Sequence, residues 1–206
     1  GSDLEENEKE IELGIKTAVL PMSDTPVRTI VQTAEGPLAF QEYFVGRHCQ
    51  VPVTGFVFDG ADRAVPSEEV RRALTDAALA AIVICPSNPF VSIDPILAVP
   101  GMRDLLCARR PPIVAVSPII GGAAVKGPAA KMMGELGLEV STLSVAAHYR
   151  SLVQGLVIDT ADAVLAPGIE AMGMAVKVVP TLMRSVDDRR VLARTCLDFA
   201  TALAGR

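Results

Sequence analysis

The feature that most constrains this chain is a repeated pattern from residue 67 onward: short, unbroken apolar runs alternate with helical stretches. "AIVIC" (81–85), "PIVAVS" (112–117), "GLVIDTAD" (155–162) and "AVKVVPT" (175–181) read as strands, and they are continuously apolar over their cores rather than alternating. Strands of that kind are covered on both faces, the situation of a parallel sheet. Between them, "SEEVRRALTDAALA", "DPILAVPGMRDLLCA", "GPAAKMMGELG", "SVAAHYRSLV" and "APGIEAMG" read as helices, and "DDRRVLARTCLDFATALAG" as an amphipathic closing helix. Ser67 is placed to cap the first, with Glu68 and Glu69 at its positive end. Pro100-Gly101 interrupts the second. The fold expected is α/β: a three-layer, Rossmann-like domain with a mostly parallel sheet, its completeness at the N-terminal strand left open.

The preceding region is different. "IKTAVLP" (15–21) reads as a strand, "VRTIVQTA" (27–34) as a half-exposed alternating strand, and "VTGFVFDG" (53–60) as a strand closed by an Asp-Gly turn. "PLAFQEYFVGRH" places Phe40, Tyr43 and Phe44 at helical spacing, a core-facing stripe. Residues 14–206 are expected to form one α/β domain with 27–60 as a small α+β insertion. Residues 1–13 form an acidic segment whose helix would stop at Gly14, and Gly1-Ser2 is read as a cloning remnant.

Composition excludes several classes. The net charge is −5 and the Lys and Arg residues are scattered, which speaks against a nucleic-acid surface. Half the residues are apolar, yet no run reaches the ~18–20 needed to span a membrane. Cys49, Cys85, Cys107 and Cys196 lie far apart with no CxxC, so a reducing cytoplasm is expected. His48 and His148 are the only two histidines, neither at metal-ligand spacing, which argues against zinc. GxSxG is absent, so serine hydrolysis has no support.

In parallel α/β sheets the ligand sits beyond the carboxyl ends of the strands. Four expected strand ends carry proline beside small residues: Pro21-Met22-Ser23-Asp24, Pro86-Ser87-Asn88-Pro89, Pro118 before Gly121-Gly122, and Pro180-Thr181. Together they suggest one binding rim. "PSNPFVSID" is stiff and polar at once: Ser87, Asn88 and Ser92 offer small donors, and Phe90 either an apolar wall or a core ring. Asp94 is expected to cap the helix that follows, with Pro95 in its first turn. Gly121-Gly122 permits close backbone approach, and Lys126 precedes a helix opened by Gly127-Pro128. An anion site there, with Lys126 or Lys131 adding charge, and a bland strand–loop–helix junction are both open. Cys85 reads as a small core residue and His148 as structural or solvated.

Four stretches resemble the 2-phospho-L-lactate transferase family of deazaflavin-coenzyme biosynthesis. They are "LPMSDTPVRTIVQTAEGPLAFQEYFV", "ICPSNPFVSIDPILAVPGMRDLL", "VSPIIGGAAVKGPAAKMMGELGLEVS" and "VPTLMRSVDDRRVLA". The likeness runs in order from about Gly14 onward. It implies transfer of a phospholactyl or phosphoenolpyruvyl group from a guanosine-diphospho-activated donor to the deazaflavin alcohol Fo, with release of GMP and assistance by Mg²⁺. It also implies a cytoplasmic homodimer. Ser87, Asn88, Ser92, Gly121, Gly122 and Lys126 become candidates for binding nucleotide or phosphate, and Ser23, Asp24 and Phe90 for a substrate pocket. Family members begin with a GGTGG-type strand–turn–helix and an acidic segment linked to metal and Fo binding, which this sequence does not show. The catalytic base and metal ligands are therefore expected in such a part, and 1–206 is expected to start about a third of the way into a family member. Two rival readings are a nucleotide-sugar-binding regulator of the related gluconeogenesis-factor family and an inactive structural fragment.

Overall fold

The computed structural model describes residues 17–108, 111–125 and 127–205. The acidic segment 1–13, the helix stop at Gly14 and Lys126 lie outside the described residues.

The apolar runs form a four-stranded parallel sheet of β4 (Ile82–Ile84), β5 (Ile113–Val116), β8 (Gly155–Ile158) and β9 (Ala175–Val178), in that order. Val83 pairs with Val114, Ala115 with Leu156, and Val157 with Lys177. Every residue of β5 and β8 is buried, as their continuous apolar sequences require. The period of two divides their side chains between two faces. Ile113, Ala115, Leu156 and Ile158 meet Met132 and Met133 of α4 (Ala129–Glu135) and Val145, Ala146 and Tyr149 of α5 (Thr142–Tyr149). Val114, Val116 and Val157 meet Leu192, Cys196 and Ala200 of α7 (Val186–Ala204). Helices thus cover both faces, and the layer order is helix, sheet, helix. Gly155 lets α7 approach: a Cβ there would stand 2.7 Å from the Phe199 ring and 2.8 Å from Leu203.

The remaining helices punctuate the crossovers. In α1 (Glu68–Thr75), the Ser67 hydroxyl accepts the Val70 N–H, the expected cap. The helix ends five residues earlier than its pattern suggests, because Asp76 captures the Ala78 N–H in a turn. α2 (Asp94–Leu97) and α3 (Met102–Ala108) are separated at Pro100-Gly101, and α6 (Ala166–Glu170) leads toward β9.

A second, antiparallel sheet precedes these elements. β1 (Arg28–Thr33) is flanked by β2 (Gly36–Ala39) and β3 (Val53–Asp59). Gly60 closes β3 at φ +87°, where a Cβ would lie 2.5 Å from the Pro26 carbonyl oxygen. Two expectations fail here. Gly36–Ala39 pairs with β1, so the chain winds only from Phe40, in π register over Glu42–Gly46. Tyr43 is buried, but Phe44 is exposed and stacks on Phe40 at 5.5 Å, so the aromatic stripe is only partly core.

The described part of the first expected strand, 17–21, is not in a ladder. Ser67 holds it by its carbonyls instead: its hydroxyl donates to Pro21 O at 2.7 Å and its N–H to Met22 O. Val19 and Leu20 are left exposed.

The stretch after β4 also departs from its expected cap. The helical segment begins at Pro89, in π register through Ile93, and runs on into α2. Asn88, not Asp94, is its cap: the Asn88 Oδ1 accepts the Phe90 N–H at 3.0 Å. The i→i−5 bond from Asp94 N–H to Pro89 O widens the turn just before Pro95, whose ring would clash with the carbonyl four residues back in α register.

Candidate functional site

Three of the four proline-bearing strand ends meet in a cleft of about 170 Å³. Pro86 and Asn88 come from the end of β4, and Ser117 and Pro118 from the end of β5. Val125 and Ala129 follow the small hairpin of β6 (Ile119–Ile120) and β7 (Ala123–Ala124). Thr181 and Met183 lie past β9, and Arg189 is on the first turns of α7. The position, beyond the carboxyl ends of a parallel sheet, is where such folds bind ligands.

The fourth expected end, at Pro21, is docked on Ser67 and does not line the cleft. Ser23 and Asp24 share its fate: the Ser23 hydroxyl accepts the Thr25 N–H, and Asp24 is exposed. Phe90 is buried, stacked on Phe56 at 5.9 Å and edge-on to His148 at 5.4 Å, so the ring belongs to the core. Ser87 lies between two lining residues with its N–H turned back to Cys85 O, and Ser92 is exposed one turn along the helix. Asn88 is the member of that loop placed to act. Its Nδ2 reaches only the Met132 sulfur, a weak acceptor, at 3.2 Å, so the amide keeps donor capacity for a ligand.

The glycine pair sits at the tip of the β6–β7 hairpin, with φ of +57° at Gly121 and +75° at Gly122. Its amide does not await an anion. The Gly121 N–H is already engaged by both carboxylate oxygens of Asp162, each at 3.1 Å. Asp162 is buried and also accepts the Thr142 hydroxyl at 3.0 Å, while Thr142 contacts Ser117 at 3.3 Å. Lys131 is equally committed. It pairs with Glu135, donates to Val51 O, and lines a separate groove with Phe44, His48 and Pro128.

A second buried carboxylate fastens the far wall. Asp159 accepts the Thr181 N–H at 2.7 Å and its hydroxyl at 3.2 Å, together with Ala161 N–H and the Thr160 hydroxyl. Burial alone would raise the Asp159 carboxyl, but these four donors outweigh it and hold it below its ordinary value. With its proton given to Asp159, the Thr181 hydroxyl presents acceptor lone pairs. Cys85 is exposed rather than core, and Cys196 behind it is pushed to about 11 by burial and then by Cys85. No histidine lines the cleft to activate either thiol.

The sequence reading missed Asp159, Asp162 and Arg189, none of which carried a signal, whereas Thr181 belonged to one of the strand ends expected on the rim.

Together the wound sheet and the cleft across its carboxyl rim define a Rossmann-like α/β protein. Comparison with known sequences narrows this. The family model described as 2-phospho-L-lactate transferase CofD matches residues 7–180, and the chain belongs to that family. It is 41% identical over 180 residues to a 2-phospho-L-lactate transferase of Methanosarcina mazei, covering 87% of this chain and 58% of the relative. It is 42% identical over 187 residues to a phosphoenolpyruvate transferase of Kitasatospora aureofaciens, covering 88% and 58%. A 2-phospho-L-lactate transferase of Methanocaldococcus jannaschii is 35% identical over 95% of this chain and 62% of its own length. The chain thus spans about three-fifths of the length of these relatives. Among solved structures, a UPF0052-family protein from Bacillus halodurans matches with a TM-score of 0.56 at 15% identity, over 92% of this chain and 66% of that one. That likeness concerns the fold.

Proposed function

We propose that this chain is the nucleotide-binding portion of a transferase. The enzyme would move a phospholactyl or phosphoenolpyruvyl group from a guanosine-diphospho-activated donor to the terminal hydroxyl of the deazaflavin alcohol Fo. The reaction forms a P–O bond from that hydroxyl to the phosphorus bearing the three-carbon acid and breaks the P–O bond to GMP. Cytoplasmic location and a homodimer belong to the same proposal.

The observation that carries this reading is the rim cleft, in a chain of this family, with amide, hydroxyl and guanidinium groups from three loops and no carboxylate among its described lining residues. Donors held in place by the fold stabilise negative charge on phosphoryl oxygens without reorganising as it develops. Asn88 would take that part, Arg189 would add positive charge from the exposed rim, and Thr181 would accept from a hydroxyl or amine of the ligand. Mg²⁺ stays in the proposal through the donor's diphosphate. The described residues hold no cluster of three or more His, Cys, Asp or Glu to ligate it, and Asp159 and Asp162 direct their oxygens to internal donors.

The test is a calorimetric titration with GDP, with and without Mg²⁺, using UDP-N-acetylglucosamine as the rival ligand. Preferential binding of GDP supports the transferase reading. Preference for the UDP-sugar overturns it in favour of a nucleotide-sugar regulator, and silence with both overturns the chain as a self-sufficient nucleotide site.

A further inference from the structure

We infer that Arg189, on the first turns of α7, is the residue that grips the anionic group in the cleft. The inference rests on the reading of the cleft as a nucleotide site and assigns its charge recognition.

Arg189 is the charged side chain among the nine described residues that line the cleft. It shares the cleft with Asn88 and Thr181, both neutral, so a bound anion would meet a cation and no carboxylate among the described lining residues. The acidic residues beside it are occupied. Asp187 pairs with Arg190. Asp188 accepts the N–H groups of Arg184 and Ser185, each at 2.8 Å, in the capping box that starts α7. Among the described residues Arg189 has no ion-pair partner. Arg190, its neighbour on the same turn, is exposed, paired and outside the cleft. A guanidinium with free N–H donors matches phosphate oxygens in a forked geometry that lysine does not reproduce.

Arg189 enters the cleft from α7, while Asn88 and Ser117 enter it from the loops after β4 and β5. We assign nucleotide-phosphate retention chiefly to Arg189.

The experiment compares the wild-type chain with Arg189→Gln, Arg189→Lys and Arg190→Gln by calorimetry, using inorganic diphosphate, GDP and guanosine as probes at two salt concentrations. Both arginines are exposed, so folding should survive, and circular dichroism checks it. Arg189→Gln is expected to weaken diphosphate and GDP about 10-fold and to reduce their salt dependence, with Arg189→Lys intermediate. Arg190→Gln, with the same change in net charge, should stay within about 2-fold of wild type. Unchanged diphosphate affinity in Arg189→Gln, or an equal loss in Arg190→Gln, overturns the inference, as does a wild-type chain that does not bind diphosphate. Diphosphate binding lost in Arg189→Gln without any GDP preference keeps the inference and overturns the guanine-nucleotide reading. GDP preference retained undiminished in Arg189→Gln does the reverse.

Discussion

Asp162 directs both carboxylate oxygens at the backbone N–H of Gly121, 41 residues away, at 3.1 Å each. This internal anion occupies the donor that a glycine-rich loop would otherwise offer to phosphate. It holds the β6–β7 hairpin, which leads into the cleft residue Val125, and joins it through Thr142 to Ser117. Replacing Asp162 by Ala leaves the Gly121 amide and the Thr142 hydroxyl without their acceptor. We expect a loss of about 2–3 kcal/mol in urea unfolding and faster hydrogen exchange at Gly121. Wild-type exchange at that amide would show that the latch does not hold the hairpin.

Asp159 predicts a specific acid sensitivity. Its folded carboxyl lies below the ordinary 3.8 because four donors stabilise the charged form. The unfolded chain therefore binds the proton more readily. The contribution to stability is complete above the unfolded value and is lost as pH falls through the lower folded one. Asp159→Asn should lower stability by about 1–2 kcal/mol at pH 7 and flatten the acid limb below the ordinary carboxylate value of 3.8. Denaturant titrations across that range provide the check; an unaltered acid limb would assign the sensitivity to other carboxylates.

The Asp94 carboxylate meets His148 Nε2 at 2.8 Å, tying the helix after the Ser-Asn-Pro loop to α5. Both side chains are about one-quarter exposed, so the interaction is partly screened. A double-mutant cycle with Asp94→Asn and His148→Ala should give a coupling of about 0.5–1 kcal/mol. Additive losses would reduce the pair to a proximity without energetic content.

Gly155 tests the close seating of α7. An added Cβ would collide with Phe199 and Leu203, whose side chains can yield only by unpacking the closing helix. Gly155→Ala should cost about 1–3 kcal/mol, seen as a Tm decrease of roughly 2–4 °C per kcal/mol for a chain of this size. A Tm within a degree of wild type would mean that α7 adjusts freely.

Much of the fold was legible because hydrophobic period survives in sequence. The unbroken "PIVAVS" and "GLVI" runs became the two fully buried central strands, and Ser67 capped its helix as expected. The errors have local physical causes. "LAFQEYF" carries helical spacing, but pairing with β1 offers Pro37–Ala39 a ladder that spacing cannot reveal. "NP" and "DP" are equivalent cap signals, and Asn88 took the cap because Asp94 found His148, 54 residues later.

The sequence by itself determined the alternation of strands and helices, the parallel sheet that follows from it, and a rim of proline-bearing strand ends, of which the fold brings three of the expected four together. These are consequences of side-chain period and backbone restriction, and both are properties of neighbours in the chain. Only the tertiary structure decided which groups face the cleft and which are already satisfied. Arg189 and Arg190 are indistinguishable in "DDRR", yet successive residues on a helix point about 100° apart, and the docking of α7 turns one toward the cleft and the other away. Gly121 was a candidate for close backbone approach to a ligand, and nothing near it in sequence marks the acceptor of its N–H. Its acceptor exists only once β8 is laid beside β5 and brings Asp162 beneath the hairpin.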